Sequence, residues 1–408
     1  MDHRFDVITA SDLRYPGGTA ASIAEEVEAQ AAAGYRSGLL QLDSGRLGHW
    51  RTFNARILAC LQEGLAELVQ PRQPVSTRLL VLRHPAVFGR PQPALEAVAA
   101  ERVVMVVNQP PGDDSNDRPY YDPAAVRAVL GSAFGSRLAW APIGPRVRRR
   151  LLAALPELGP LTEDWHNVID PEAWAVDRSQ PVGRLPVIGR HSRPDWRKWP
   201  AERRQLLTAY PADPAFRVRL LGAGRELERL VGRVPANWAL LDYNAVPARR
   251  FLAGIDFFVY FTHPGWIEAF GRSILEALAS GAVAVLPPVF EPLFGPAAVY
   301  CRPEQVAGRV RALHRDWPAY RRQSQAGQRA VRERFSHRRH AERVRELIGA
   351  PAGEPRRLRG PRQPDAARVL LISSNGSGIG HLTRLLAMAR RAPSGLEPIF
   401  LTLSRGID

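Results

Sequence analysis

Lysine is almost absent from this sequence. Of its 56 lysine and arginine residues, Lys198 is the only lysine, so arginine carries nearly all of the formal net charge of +16. Such a bias is typical of genomic base composition. The resulting positive electrostatic field still attracts polyanions, anionic lipid surfaces and phosphate-bearing ligands.

Other features that the sequence lacks narrow the class of protein. The two cysteines, Cys60 and Cys301, match no metal-ligand spacing, which favours a reduced compartment. No apolar run approaches the roughly 18 residues that span a bilayer, and Met1–Asp6 carries charges where a signal peptide needs apolar residues. Zinc spacings, RNA-binding aromatic signatures and basic heptad helices are also missing, so nucleic acid is an unlikely partner. We expect a cytoplasmic protein, and peripheral contact with an anionic membrane stays open.

Apolar strand patterns alternate with helical patterns along most of the chain. This alternation predicts parallel β-α-β units, and the strands fall into two series. Predicted strands are Phe5–Ala10, Ser37–Leu42, Arg78–Leu82, Val103–Val107 and Arg137–Ala141, then Leu185–Gly189, Phe216–Leu221, Trp238–Leu241, Phe257–Phe261 and Ala282–Leu286. The sequence therefore predicts two α/β domains, at residues 1–180 and 181–349.

A third segment follows the two predicted domains. Residues 350–366 have the proline, glycine and arginine content of a linker. Residues 367–408 then repeat the order strand, glycine turn, helix, strand. Because one β-α-β unit cannot bury its own sheet faces, we expect residues 367–408 to be the opening part of a further domain, in a longer or truncated fusion protein.

The most informative motif surrounds two glutamates that follow the strand Phe257–Phe261. Glu268 stands just before a predicted helix, and Glu276 lies inside it. A helix N-terminus favours anions, Gly271 permits close backbone approach, and a carboxylate can hold two vicinal hydroxyls. The alternative is an ordinary crossover helix with two surface charges.

Glu268, seven residues and then Glu276 resemble the EX7E signature of retaining glycosyltransferases, and the motif is most similar to that of family 4. The resemblance covers roughly residues 3–348. It implies the α/β fold called GT-B, in which two Rossmann-like domains with parallel sheets face a cleft. It also implies that Glu268 contacts the donor sugar, that Glu276 contacts the nucleotide ribose, and that the Ala269-Phe270-Gly271 backbone lies along the sugar and diphosphate.

A basic loop after the strand Leu185–Gly189 is the second candidate region. Two cations at the end of a strand suit a diphosphate, because they offset its charge as it leaves. In the resembling family, an arginine and a later lysine bind the donor diphosphate, and the matching residues are Arg190 and Lys198. Their spacing is longer than usual, which leaves Arg193 as a rival for Arg190. A basic surface loop is the alternative.

Two further candidates lie in the first predicted domain. Gly17 and Gly18 form a turn that, by the resemblance, closes over the donor phosphates, although a plain β-turn is the alternative. His84 follows the strand Arg78–Leu82, where the family often places a histidine near the acceptor and the anomeric carbon; a structural histidine is equally open. Asn108, after the next strand, is a weaker candidate for the acceptor side.

The resemblance implies transfer of a sugar from a nucleoside-diphosphate sugar to an acceptor hydroxyl, with retention of anomeric configuration. We expect no cofactor, and we expect no metal because no aspartate-x-aspartate motif is evident in the core. The expected acceptor is a glycan, a lipid-linked molecule or a small molecule, in cell-envelope polysaccharide or other glycoconjugate synthesis. A glycosidase or phosphorylase with paired carboxylates, and an inactive sugar-nucleotide or glycan-binding module, are the alternatives. Separately, Gly376–His381 resembles the first glycine loop of another group of GT-B glycosyltransferases.

Overall fold

The structure is a computed structural model that describes residues 4–48, 51–114, 119–159 and 163–356, together with 367–373, 384–385, 387–389, 391 and 396–402. The glycine loop Gly376–His381 and most of the predicted linker lie outside these residues. Residues 350–356 pack along the C-terminal end of the first helix, where the Arg356 amide donates to the Ala31 carbonyl over 2.9 Å.

Six parallel strands form the first sheet, in the order β3-β2-β1-β4-β5-β6. Parallel strands covered on both faces need continuous apolar runs, and Leu79–Leu82 in β4 is such a run, with every side chain fully buried. The strands are β1 Phe5–Ser11, β2 Ser37–Gln41, β3 Ala66–Val69, β4 Val75–Arg83, β5 Val98–Val107 and β6 Leu138–Pro142; the helices are α1 Gly18–Ala33, α2 Ala55–Gln62, α3 Pro123–Phe134 and α4 Pro145–Ala154. We call these elements the N-terminal unit.

A second sheet of six parallel strands has the order β12-β11-β10-β7-β8-β9. Read from its other edge, as β9-β8-β7-β10-β11-β12, it has the same strand order as the first sheet. The strands are β7 Val187–His191, β8 Arg217–Leu221, β9 Trp238–Leu241, β10 Phe257–Val259, β11 Val283–Leu286 and β12 Val299–Tyr300. The helices are α5 Pro171–Trp174, α6 Arg203–Ala209, α7 Gly224–Val231, α8 Ala248–Ala253, α9 Arg272–Ala279, α10 Glu291–Phe294, α11 Val306–Arg315, α12 Trp317–Arg334 and α13 His337–Ile348. These elements form the C-terminal unit.

Helix α13 crosses back to the N-terminal unit and packs on α1. The Tyr35 hydroxyl donates to the Gly349 carbonyl over 2.9 Å, and the Gln30 and His340 side chains meet at 3.0 Å. Arg343, on α13, is buried over the Trp165 ring. The two units are therefore joined by apolar and polar contacts on the same helix.

Two further strands, β13 Ala367–Ser373 and β14 Leu396–Thr402, pair in parallel as the repeat in the sequence predicts. A surface cavity of about 160 Å³ lies between Val176–Ser179 and α12, close to the C-terminal end of α9. Within the described ranges, none of the helices combines the length and the apolar character needed to cross a bilayer.

Candidate active site

In each sheet the strand order reverses beside the first strand of the unit, between β1 and β4 and between β7 and β10. Open parallel sheets bind ligands outside the carboxyl ends of the strands at such a point. Gly17 and His84 follow β1 and β4, whereas Lys198 and Glu268 follow β7 and β10. The topology therefore places the residues singled out in the sequence at these two edges.

Glu268 lies in a largely buried polar site in the loop between β10 and α9, where its side chain is 13% exposed. Its Oε2 atom accepts a hydrogen bond from the Tyr260 hydroxyl at 2.5 Å and from the indole nitrogen of Trp266 at 3.3 Å. The same oxygen pairs with the Lys198 ammonium group. Lys198 closes a short 3-10 turn, Trp196–Lys198, in the loop after β7. The structure thus brings together two candidates that are 70 residues apart in sequence.

The Glu268 carboxyl is ionised at neutral pH. Burial raises the pKa of the Glu268 carboxyl, but the Lys198 charge and the three hydrogen bonds outweigh it and lower that pKa to about 2. Burial lowers the pKa of Lys198, against the opposing attraction of Glu268. Because each charge compensates the other's desolvation, the loss of either one leaves a buried charge without its counterion.

Gly271 shapes the start of α9. Its φ of 86° lies in the left-handed region, and a Cβ atom there would stand 2.7 Å from Cδ1 of Ile274. The amides of Ile274 and Leu275 both donate to the Gly271 carbonyl, at 2.9 and 3.1 Å, so the preceding amides of Arg272 and Ser273 are the ones at the start of α9 that can meet an anion. Ala269 and Phe270 precede Gly271, and the Phe270 ring packs against Phe294 and Phe335 in the core. Because the Phe270 side chain is engaged in this packing, the backbone of residues 269–271 is the part of the segment that can bind a ligand.

We expect Gly271→Ala to destabilise the fold by about 1–3 kcal/mol, because a side chain in the left-handed region is strained and here also meets Ile274. Urea denaturation monitored by circular dichroism measures the change. Gly308→Ala is the matched control, since Gly308 is an exposed residue of α11 and no described atom lies within 4 Å of its Cβ position. It is expected to be neutral or stabilising. Equal effects of the two substitutions would contradict this account.

Glu276 is held between two cationic or polar side chains that the sequence motifs do not indicate. Its Oε2 atom meets Nε2 of His191 at 2.8 Å, and its Oε1 atom accepts from Nε of Arg272 at 3.0 Å. Burial raises the pKa of Glu276, but His191 and Arg272 outweigh it and lower that pKa. Each carboxylate oxygen keeps a second lone pair with which it can accept a ligand hydroxyl.

Arg190 and Arg193 occupy different environments. The Arg190 guanidinium is fully buried between the Trp199 and Tyr260 rings and donates to the Phe261 carbonyl at 2.6 Å. It is closed to solvent, beside Tyr260 and Phe261, the residues that follow β10. Arg193 instead extends to the N-terminal unit, where its Cδ lies 3.5 Å from the Cβ position of Gly17. The exposed position of Arg193 therefore favours it over Arg190 as the cation that binds the donor diphosphate. Both roles stay predictions.

His84 stands in a constrained position at the end of β4. Its φ of 73° is in the left-handed region, and its ring stacks on Tyr15 with centroids 4.4 Å apart. Burial and the nearby charge of Arg46 lower the pKa of His84 to about 4, so the imidazole is neutral at neutral pH. Its Nδ1 has no hydrogen-bond partner among the described residues. A neutral ring of this kind can accept a proton or a hydrogen bond from an acceptor hydroxyl.

The glycine turn lies beside the end of β5. Gly17 caps α1 with a φ of 85°, and the next residue, Gly18, has no described atom within 4 Å of its Cβ position. The Asn108 amide donates to the Thr19 hydroxyl over 2.9 Å. The structure thus places Asn108 next to the turn on the same edge as Gly17.

Arg146 lies at the site although the sequence motifs do not indicate it. It stands in the first turn of α4, yet its guanidinium reaches across to the Glu268 carbonyl at 3.3 Å and lies over the Phe290 ring. Burial lowers the pKa of Arg146, and Glu268 opposes that shift. A signal was present in the sequence: Gly144-Pro145 opens a helix directly after β6, at the same sheet edge as His84.

Among the described residues, Glu25, Glu28 and His337 bring three potential metal-ligand atoms within 4.8 Å of one another. The Arg56 and Arg272 guanidinium groups each bond the Glu25 carboxylate at 2.8 Å. Two cations at that carboxylate would repel a metal ion. This cluster is therefore better understood as part of an ion-pair network between the two units.

No protein-family model matches the chain, and no curated protein sequence matches it. Solved structures do resemble it. HepE from Anabaena, determined in complex with UDP, has a TM-score of 0.61 at 13% identity, covering 84% of this chain and 99% of that chain. A glycosyltransferase from Rickettsia africae has a TM-score of 0.59 at 11% identity, covering 84% and 98%. A trehalose-6-phosphate synthase, studied for glycosyl transfer with retention, has a TM-score of 0.50 at 13% identity, covering 84% and 98%.

At these identities the likeness defines the fold. The two parallel six-stranded sheets and their shared strand order are those of the GT-B class, as the sequence predicts.

Proposed function

We propose that the protein is a glycosyltransferase that moves a sugar from a nucleoside-diphosphate sugar to an acceptor hydroxyl. The observation that carries the proposal is the juxtaposition of Glu268, paired with Lys198, with the open N-terminus of α9 and with Glu276 inside that helix. A sugar, a diphosphate and a ribose need, in that order, hydrogen-bond acceptors, a positive helix end and a second carboxylate. HepE, with a similar fold, was determined with a bound nucleoside diphosphate, UDP.

In this proposal the C-terminal unit holds the donor and the N-terminal unit admits the acceptor. Lys198, Arg193 and the α9 amides stabilise the departing diphosphate, and neutral His84 accepts a hydrogen bond from the acceptor. Retention of anomeric configuration agrees with the family 4 resemblance and with the stated subject of the trehalose-6-phosphate synthase structure. A front-face mechanism without a covalent intermediate suits a Glu268 carboxylate that Lys198, Tyr260 and Trp266 already engage. The proposal also includes a peripheral membrane contact and a polysaccharide acceptor. The net positive charge of the chain is the only observation that supports these two parts.

A glycosidase is the less favoured alternative. Its general acid must hold a proton near neutral pH, so its pKa is raised. Here the pKa values of Glu268 and Glu276 are both lowered by cationic neighbours. Neither carboxyl is therefore suited to protonate a leaving group.

A thermal-shift screen with UDP-, GDP- and ADP-sugars tests donor binding. A ligand that binds only the folded protein stabilises it by about 2.7 kcal/mol at one hundred times its Kd. Glu276→Ala is expected to weaken donor binding about tenfold or more, since it removes the ribose acceptor. Isothermal titration of the best donor measures the ratio of affinities, and Glu304→Ala, an exposed residue in the turn just before α11, is the control. Unchanged affinity in Glu276→Ala would refute the ribose assignment.

A further inference from the structure

Arg272 links the two units through two carboxylates. Its Nε atom donates to Glu276 at 3.0 Å, and its Nη2 atom donates to Glu25 at 2.8 Å. Glu276 lies on α9 of the C-terminal unit, whereas Glu25 lies 247 residues before Arg272, on α1 of the N-terminal unit. A planar guanidinium that bonds two carboxylates at once has little rotational freedom left.

Glu25 is a rigid anchor for this link. Its side chain is 2% exposed, and it also accepts from Arg56 at 2.8 Å and from the Asp170 amide at 3.3 Å. His337, at the start of α13, meets Oε2, the oxygen that the Asp170 amide also contacts, at 2.7 Å. Burial raises the pKa of Glu25, but His337, Arg272 and Arg56 outweigh it and hold that pKa well below its usual range. The anchor is therefore an anion fixed from several elements.

Glu276 is consequently oriented from two sides. His191, the last residue of β7, fixes one oxygen from within the C-terminal unit, and Arg272 fixes the other by way of the N-terminal unit. The remaining guanidinium nitrogen, Nη1 of Arg272, is buried and has no hydrogen-bond partner in the part of the chain that the structure describes. One donor at the start of α9 is thus left for a ligand.

We propose that Glu25 is a positioning residue for the nucleotide: through Arg272 it sets the orientation of Glu276, so that nucleoside-diphosphate binding depends on contact between the two units. The proposal rests on the proposed function, because it assigns the ligand of Glu276 as a nucleotide. It goes beyond that function by placing a determinant of donor affinity in the unit that does not hold the donor.

The test compares Glu25→Gln with Glu28→Gln in the full chain. Glu28 is the matched control: it lies on the same helix, its carboxylate is 3.7 Å from Arg56, and no ion pair joins it to Arg272 in the described residues. UDP, GDP and ADP are titrated calorimetrically into both variants, into wild type, into Glu276→Gln and into the double variant Glu25→Gln/Glu276→Gln. Arg272→Lys tests the same link from the other unit if Glu25→Gln does not fold.

We expect Glu25→Gln and Arg272→Lys to weaken binding of the preferred nucleotide about tenfold, with Glu28→Gln within about twofold of wild type. The double variant is expected to bind no more weakly than Glu276→Gln alone, because both changes act through one carboxylate. A merely structural role of Glu25 would instead give additive losses, and that result would overturn the proposal.

Hydrogen exchange of the ligand-free protein separates the two possible failures. The link predicts faster exchange of the amides of residues 272–276 in Glu25→Gln than in Glu28→Gln. If wild type binds nucleotide while Glu25→Gln changes neither affinity nor exchange, the positioning role is wrong and the proposed function stands. If wild type binds none of the three nucleotides, the proposed function fails and the positioning role fails with it.

Discussion

Glu268→Gln is expected to lower kcat for sugar transfer by about 10²–10³-fold, the usual effect of removing one preorganised electrostatic group. The amide has the same shape as the carboxylate but no charge. It can no longer balance the Lys198 ammonium. Its remaining oxygen can still accept from Tyr260 and Trp266, but the other carboxylate oxygen becomes an NH₂ group, which cannot accept from the donor sugar. Lys198 and the donor sugar would both lose the fixed anion that orients them.

Steady-state kinetics with the best donor measure this loss, with circular dichroism to show that the variant is folded. Glu291→Gln is the control, because Glu291 is an exposed residue at the start of α10 on the same unit. Its kcat is expected to match wild type. A Glu268→Gln enzyme that keeps more than a tenth of the wild-type kcat would show that the carboxylate is not part of the reaction centre.

Lys198→Met is expected to destabilise the fold by about 3–5 kcal/mol at pH 7, because it leaves the Glu268 carboxylate buried without its counterion. Methionine fills a similar volume, so the loss reflects charge more than packing. Urea denaturation at pH 7 gives the free energy of unfolding. The double variant Lys198→Met/Glu268→Gln is expected to recover much of the loss, since it removes both charges.

Arg311→Met is the control for this prediction. Arg311 pairs with Asp213 on the surface, where the two side chains are 42% and 40% exposed. An exposed pair contributes at most about 1 kcal/mol. If Lys198→Met were no more destabilising than Arg311→Met, or if the double variant were no more stable than Lys198→Met, the buried pair would not have the role assigned to it.

Most of the sheet architecture follows from the sequence because buried parallel strands need continuous apolar runs. All ten predicted strands of the two sheets correspond to observed strands, with ends shifted by a few residues. Two strands were not predicted. β3, Ala66–Val69, exposes its two central residues, and β12 has only two residues. Neither provides enough apolar sequence to be distinguished from a loop.

The meeting of Lys198 and Glu268 could be anticipated, because both follow strands that the topology makes neighbours. The inward orientation of Arg190 could not be, since it depends on which face of β7 the side chain takes. Successive residues of a strand point to opposite faces, and here His191 takes the face towards Glu276 while Arg190 meets Tyr210 and Trp199.

The contacts of Glu276 were equally inaccessible to sequence reasoning. His191 and Glu276 are 85 residues apart, and the Glu25–Arg272 pair joins different units. No local pattern encodes such pairings. The His191–Glu276 pair forms when β7 and α9 pack within the C-terminal unit, and the Glu25–Arg272 pair forms only when α13 and α5 bring the two units together around α1.

Release of nucleoside diphosphate from UDP-, GDP- and ADP-sugars is the most direct test of the central claim, that residues 268–276 hold a nucleotide-sugar donor for transfer. The account predicts release from at least one donor by wild type, accelerated by an acceptor with free hydroxyls, and loss of that release in Glu268→Gln. Absence of release with every donor, or equal release by wild type and Glu268→Gln, would contradict it.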